Sequence, residues 1–299
     1  MLGLYMEYPT PGFLQHGLCF APTEDKTPRF LYHYTKYESA IKILANGYLF
    51  MRSLENQNDP WEFLRRENHI VSGGEPIEVT AQNLKKHSMA IDERNNYVRQ
   101  ASFSIDTNLR HGWNLTRMWA QYADNHAGVC LIFDYKQLYD DFNAAFADKA
   151  THYACRQINY VNLYELDDLE DKYWKPTTTF FHKDFIDLLF TKHDDFAQEQ
   201  EYRFLAAIND LKTSDENLRL PIKNSFCGLI TGKRFEQKHE ENINRLRIKH
   251  LRDAMELCNK NVRPIMMNSH EFAEPLYDPV EEQERFKKLM DSVLADHNN

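Results

Sequence analysis

The chain has 299 residues, 42% of them hydrophobic and 13% aromatic, and its formal net charge is -9. This composition supplies a sizeable buried core, and the negative charge argues against broad electrostatic binding to nucleic acids or anionic membranes, while leaving room for a local basic groove. Five widely spaced cysteines without a C-x-x-C pair, no signal-peptide pattern and no run of about eighteen apolar residues predict a cytoplasmic protein with no disulfide framework, zinc knuckle or membrane partner.

The segments before residue 135 predict an irregular arm followed by alternating strands and helices. Residues 1–29 contain four prolines and no periodicity, which is typical of an irregular arm. Thr35 and Glu38 have the spacing of a capping box, and Gly47 supplies a left-handed helix end. We therefore expect helices over 36–45 and 115–123. Aromatic and β-branched runs predict strands at 30–35, 48–53, 101–105 and 129–134, the last buried on both faces.

The second half predicts further helices and strands in one continuous domain. We expect helices over 178–192, 234–251 and 279–296. Strands are expected from Glu199 onward and at 218–222, 226–232 and 262–267. No repeat or linker divides the chain after residue 30. The predicted organisation is an α+β domain over 30–235 with a C-terminal helical extension, 236–299, packed on the same domain.

The stretch E-Q-E-Y-R at 199–203 places two carboxylates and a guanidinium before the apolar run F-L-A-A-I. Side chains alternate between the faces of a strand, so the sequence predicts Glu199, Glu201 and Arg203 on one face. Like charges this close raise each other's pKa. A binding or catalytic site is one reason for such a pattern, and an exposed ion-pair ladder of small energetic value is the other.

Familiar nucleotide and hydrolase motifs are absent from the sequence. It contains no G-x-G-x-x-G, no G-x-x-x-x-G-K-[ST], no H-E-x-x-H and no G-x-S-x-G. A Rossmann enzyme, a P-loop enzyme, a zinc protease of the H-E-x-x-H type and an elbow-type serine hydrolase are therefore not expected.

Several motifs in chain order carry a resemblance to known families. L-Y-H-Y-T, I-L-A-N-G-Y-L, N-D-P-W-E, M-W-A-Q-Y-A-D-N-H-A-G-V-C-L-I-F-D, E-Q-E-Y-R and C-G-L-I-T-G, spread over roughly residues 30–235, resemble a bacterial family of formerly unknown function related to AbiGi-type abortive-infection proteins. The opening motifs also resemble ADP-ribosyltransferases, in which a first strand with His or Arg and a later strand starting E-x-E or Q-x-E surround NAD. This second resemblance implies a split, mainly antiparallel sheet flanked by helices.

The transferase resemblance implies roles for particular residues. Glu201 would stabilise the oxocarbenium-like transition state through the ribose 2′-hydroxyl, and Glu199 would orient or deprotonate the acceptor. His33 would hydrogen-bond the adenosine-side ribose or the nicotinamide, and Arg203 would hold Glu201 or bind the pyrophosphate. The implied NAD-binding residues are His33, Tyr34, Thr35, Ser104 and Arg203. The aromatic group that stacks on nicotinamide is left open among Tyr48, Phe50 and Phe103.

The resulting hypothesis is an NAD-dependent ADP-ribosyltransferase that acts as a bacterial toxin or phage-defence effector. NAD would be its substrate, a protein or nucleic acid its acceptor, and an antitoxin or phage protein a further partner. One alternative is a non-catalytic binding or infection-sensing protein of the same fold, with Glu199 and Glu201 fully paired and no cleft beside them. A third is a metal-dependent nuclease that uses Asp134 with the two glutamates around a shared divalent ion.

Overall fold

The computed structural model describes residues 27–54, 98–108, 110–150, 152–162, 189–208, 218–237, 239–259 and 265–268. The strands are β1 (Phe30–Thr35), β2 (Tyr48–Ser53), β3 (Val98–Ser104), β4 (Val129–Asp134), β5 (His152–Gln157), β6 (Asn159–Val161), β7 (Thr191–His193), β8 (Glu201–Ala207), β9 (Leu218–Pro221), β10 (Phe226–Thr231) and β11 (Ile265–Asn268). The helices are α1 (Tyr37–Asn46), α2 (Thr116–Gln121), α3 (Tyr135–Phe146), the 3₁₀ helix Asp194–Glu199 and α4 (Glu241–Cys258).

Nine of the described strands form one mainly antiparallel sheet, so the α+β prediction is confirmed. Its main path runs β11-β10-β4-β1-β3-β2-β9, and β8 and β5 extend it from β3. Within this sheet β11 alone runs parallel to its neighbour, β10. Among the described residues, β6 and β7 make a separate two-stranded parallel sheet.

The sheet divides at β3. On one edge, β3 pairs with β8 in continuous register from Val98↔Ala207 to Ser104↔Glu201. On the other edge, β1 pairs with β3 at Ser104, whereas β2 pairs with it at Arg99 and Gln100. Between these two points no described strand pairs with β3 on that edge, so the sheet opens between β1 and β2. Helix α1 connects the two strands across this opening.

Two buried clusters lie on opposite faces of the central strands. In β4, Leu131 and Phe133 join the larger cluster with α1, α3 and α4, whereas Cys130 and Ile132 join a second cluster that contains Trp113. The prediction that this strand is buried on both faces is confirmed. A third cluster packs beneath β5 and β8.

Helix α1 is confirmed with a different beginning. Gly47 ends it in the left-handed region at φ 71°, as expected. The predicted capping box is wrong, because the N-cap residue is Lys36, whose side chain makes no capping hydrogen bond. Thr35 belongs to β1, where it pairs with Val129, so its backbone is part of the sheet and not of the helix start.

Helix α4 begins and ends about two turns later than predicted, at Glu241 and Cys258. Phe235 lies in a turn and is buried, and the guanidinium of Arg247 stacks over its ring at 4.1 Å and donates to its carbonyl. This contact fixes Phe235 outside the helix, although its spacing in the sequence fits the helical pattern. Helix α4 packs on α1, and β11 adds to the same sheet beside β10.

The predicted helix over 178–192 does not end at Lys192, because Lys192 lies in β7 and pairs with β6. Residues 178–188, the predicted helix over 279–296 and nearly all of the predicted arm lie outside the described residues. In the described part of the chain, no helix is both long and apolar enough to cross a membrane.

Candidate functional site

A cleft of about 700 Å³ lies where the sheet opens. Its walls come from α1, α2, the first three strands and the segment from Lys192 to Arg203. A pocket of this size matches those that bind small molecules and cofactors. All the residues implied by the transferase resemblance line this one cleft: His33, Tyr34, Thr35, Ser104, Glu199, Glu201 and Arg203.

The chain path at the two glutamates differs from the predicted strand. Glu199 ends the 3₁₀ helix, Gln200 adopts the left-handed region at φ 49° and ψ 46°, and β8 begins at Glu201. The side chain of Gln200 donates to the Thr107 hydroxyl, and its carbonyl accepts from the N–H of Ile105. A left-handed residue, and not strand alternation, therefore brings Glu199 and Glu201 together.

Lys192, Glu199, Glu201 and Arg203 form a buried carboxylate cluster. The Lys192 ammonium donates to Glu199 at 2.8 Å and to Glu201 at 3.3 Å, and Arg203 Nε donates to Glu201 at 2.8 Å. Each side chain is at most 6% exposed. Two cations balance two anions, which is the condition under which buried charges are tolerated.

Glu201 is ionised at neutral pH. Burial alone would raise the pKa of its carboxyl, but Arg203, Lys192 and a hydrogen bond from the Ser102 hydroxyl outweigh burial and lower this pKa to about 2. The backbone N–H of Glu201 also donates to the Tyr160 hydroxyl at 2.9 Å. Charge and position of this carboxylate are thus fixed by its neighbours.

The pKa of Glu199 is shifted in the opposite direction from that of Glu201. Burial raises the pKa of its carboxyl, and this effect exceeds the lowering by Lys192 and by the hydrogen bond from the Tyr122 hydroxyl at 3.1 Å. The two carboxylates share one lysine, yet only Glu201 has an arginine as well. Two neighbouring carboxyls with pKa values pushed apart are typical of acid–base sites.

His33 lies at the opening itself. Its Nδ1 is 3.2 Å from the Ser102 carbonyl, and its ring packs against Phe103 with centroids 5.8 Å apart. Burial, with a smaller contribution from the charge of Arg52, lowers the pKa of His33 to about 4 in spite of the bond to Ser102. Since a carbonyl only accepts, the neutral ring carries its proton on Nδ1, and Nε2 is a hydrogen-bond acceptor.

Two buried polar side chains on β3 have no hydrogen-bond partner in the described part of the chain. Ser104 lies opposite Glu201 in the sheet. Among the groups that the structure describes, its hydroxyl has no hydrogen-bond partner, and the amide oxygen and nitrogen of Gln100 have none. Both residues line the cleft and are at most 2% exposed. A buried polar group without a hydrogen bond lowers the stability of the fold, so these side chains indicate that a polar ligand occupies the cleft.

The remaining predicted residues have structural partners. The Tyr34 hydroxyl donates to the Gly112 carbonyl and accepts from the N–H of Leu115, so its phenol anchors a loop in the second cluster. Thr35 is buried in β1. Arg203 donates to the Leu189 carbonyl at 2.6 Å as well as to Glu201, which favours its predicted role of holding Glu201 over that of binding pyrophosphate.

Sequence reasoning missed Lys192, Ser102 and Gln100. Ser102 and Gln100 share a strand face with Ser104, so the two-residue period of a strand would have found them. Lys192 gave no such signal, because its strand is three residues long and its partners lie at the end of the 3₁₀ helix and at the start of β8.

A family model described as "Protein of unknown function (DUF2971)" matches residues 118–204. This segment runs from α2 into β8 and includes Tyr122 and the whole carboxylate cluster, but not His33. No curated protein and no solved structure matches the chain. The resemblances to AbiGi-type proteins and to ADP-ribosyltransferases therefore rest on the motifs alone.

The arrangement does not favour the nuclease alternative. Lys192 occupies the position between the two glutamates that a divalent ion would need. The Asp134 carboxylate accepts from the N–H of Gln137 as the N-cap of α3, and Asp134 is not among the described residues that line the cleft. Within the described chain, the group with metal-ligand spacing is His193, Asp194 and Asp195. His193 Nδ1 already accepts the N–H of Asp195 there.

Proposed function

We propose that the chain is an NAD-dependent ADP-ribosyltransferase whose active site is the cleft at the sheet opening. The observation that carries this proposal is that His33 and Glu201, which come from β1 and β8, line the same cleft. The divided, mainly antiparallel sheet and the lack of a glycine-rich phosphate loop agree with such a site. The proposed biological role is that of a toxin or phage-defence effector acting on a protein or nucleic acid.

The proposed reaction breaks the bond between nicotinamide and ribose, and its electron pair leaves with nicotinamide. Positive charge develops on the ribose, and the ionised Glu201 carboxylate stabilises it more in the transition state than in the ground state. The acceptor's nucleophile then bonds to the ribose carbon and loses its proton to Glu199. The raised pKa of Glu199 suits a general base better than the low pKa of Glu201. His33 Nε2 would accept a hydrogen bond from the bound NAD.

The first test is nicotinamide release from NAD by the purified protein, with and without cell lysate as a source of acceptor. We expect Glu201→Gln to reduce release by about 10²–10³-fold, because it removes a preorganised charge at the reacting centre. Glu241→Gln is the matched control, since Glu241 is an exposed glutamate paired with Arg245 on α4.

Glu201→Gln also leaves buried cations without one partner, so its thermal unfolding must be measured beside its activity. His33→Gln provides a second probe of the same cleft and retains a donor for Ser102. Equal release by wild type, Glu201→Gln and His33→Gln would contradict the proposal.

A non-catalytic binding protein is the second candidate, and one observation favours it. Both carboxylates already accept from Lys192, and Glu201 also accepts from Arg203, which is the pairing expected of a structural cluster. A purely structural cluster, however, would not need a cleft beside it. A rise in melting temperature with NAD, without nicotinamide release under any condition, would support this candidate.

A further inference from the structure

The outer surface of the cleft is basic although the chain is acidic. Lys36, Lys42 and Arg52 line it and are exposed, and we call these three residues the basic wall. Of the described lining residues, five are Lys or Arg and two are glutamates, in a chain with a net charge of -9. Because Lys192 and Arg203 neutralise the two glutamates, the excess positive charge belongs to the basic wall.

No carboxylate in the described part of the chain pairs with the basic wall. Among the described residues, the cationic partners of ion pairs are other side chains: His111, Lys192, His193, Arg203 and Arg245. Cationic side chains that line a concave surface without partners concentrate positive potential there, and this potential attracts anionic ligands.

Helix α1 adds backbone donors on the same side. Lys36, Ser39, Lys42 and Asn46 recur at helical spacing, so one face of α1 borders the cleft. Lys36 is the N-cap residue, and its side chain does not cap the N–H groups of the first turn. Uncapped N–H groups at a helix start favour phosphate oxygens.

Strand β2 contributes an aromatic pair beside its cation. Tyr48, Phe50 and Arg52 alternate along β2 and line the cleft, with the rings of Tyr48 and Phe50 in edge contact at 5.1 Å. Phe50 is 43% exposed, so its ring is accessible to a ligand in the cleft. An aromatic surface beside cations is the combination that binds a nucleotide, through its base and its phosphates.

The floor of the cleft supplies an independent indication of a ligand. Arg52 pairs in the sheet with Gln100, the buried residue whose amide atoms have no partner in the described chain. A polar ligand held by the basic wall would thus lie beside polar groups that need partners.

We propose that the basic wall is a binding site for the phosphate groups of a nucleotide ligand. Its phosphates lie against Lys36, Lys42, Arg52 and the start of α1, and its base lies against Tyr48 and Phe50. The site differs from the pyrophosphate contact predicted at Arg203, which is buried against Glu201 and Leu189. It does not require that the cleft cleaves NAD.

The test is isothermal titration calorimetry with ADP and with adenosine, at low and at physiological salt. We expect the wild type to bind ADP more tightly than adenosine and to lose ADP affinity as salt rises. The double variant Lys42→Ala/Arg52→Ala should weaken ADP binding by about tenfold or more and leave adenosine binding unchanged. The matched control is Lys149→Ala/Arg252→Ala, which removes two exposed cations that do not line the cleft.

Two further probes identify the source of the phosphate. Loss of NAD affinity in the double variant, with no binding of a short single-stranded RNA, assigns the site to a dinucleotide. If the wild type binds the RNA and the double variant loses this affinity, the site is assigned to a nucleic-acid strand. Equal ADP affinity in the wild type and the double variant would overturn the proposal, as would a wild type that binds ADP no better than adenosine. Nicotinamide release is measured in a separate experiment, so the proposed phosphate site and the proposed transferase reaction can be contradicted independently.

Discussion

His33 couples the stability of the protein to pH. The pKa of this histidine is about 4 in the folded chain and near 6.5 when unfolded, so the unfolded state binds the extra proton first as pH falls. The stabilising contribution is fully present above pH 6.5 and is lost as pH falls towards 4. The difference corresponds to about 3 kcal/mol in the free energy of unfolding.

His33→Gln should remove this pH dependence, because glutamine does not titrate and can still donate to the Ser102 carbonyl. The measurement is the free energy of unfolding in urea at several pH values between 6.5 and 4. His250→Gln, at an exposed histidine on α4, is the matched control. A wild type and a His33→Gln variant with the same pH slope would show that burial does not keep His33 neutral.

At the scale of the element, the turn at Gln200 sets the geometry of the carboxylate cluster. A left-handed residue other than glycine costs about 1–2 kcal/mol, and a β-branched side chain raises this cost further. We expect Gln200→Gly to be tolerated within about 1 kcal/mol, since relief of strain offsets the lost hydrogen bond to Thr107. Gln200→Val should destabilise the fold by about 2 kcal/mol more than Gln200→Gly.

Urea unfolding of the two variants tests this expectation. Thr107→Val leaves the backbone at residue 200 unchanged but removes this hydrogen bond together with those between the Thr107 hydroxyl and Arg110, so its destabilisation is an upper limit on the contribution of the hydrogen bond from Gln200. A valine variant as stable as the glycine variant would mean that the left-handed turn is not required.

Local patterns predicted the elements whose form depends on their own residues. β4 begins with a run of five apolar residues, and α1 ends at a glycine, so both are specified by short stretches of sequence. α4 was displaced because Arg247 holds Phe235 in a turn, a contact between residues twelve positions apart. The residues of the candidate site were predicted from the E-Q-E-Y-R stretch and the motif resemblances, but their geometry was missed, since Gln200 and Lys192 depend on tertiary contacts.

At the scale of the whole molecule, β11 covers the edge of β10 after α4. Truncation after Asn259 removes this strand and exposes the backbone of β10, the next strand in the sheet, which contributes Phe226 and Leu229 to the larger cluster. We expect lower stability and more self-association than after truncation at Asn268, which keeps β11. Urea unfolding and size-exclusion chromatography of the two truncated chains compare them directly. Equal behaviour would show that β11 is dispensable.

The division of the sheet leaves a main-chain group in the cleft. The N–H and C=O of one residue in an antiparallel strand point to the same edge. The carbonyl of Ser102 accepts from His33, so its N–H faces the same opening, where no described strand pairs with it. A main-chain donor is independent of side-chain identity, and alanine scanning of the cleft would therefore overlook it; proline is the substitution that removes it.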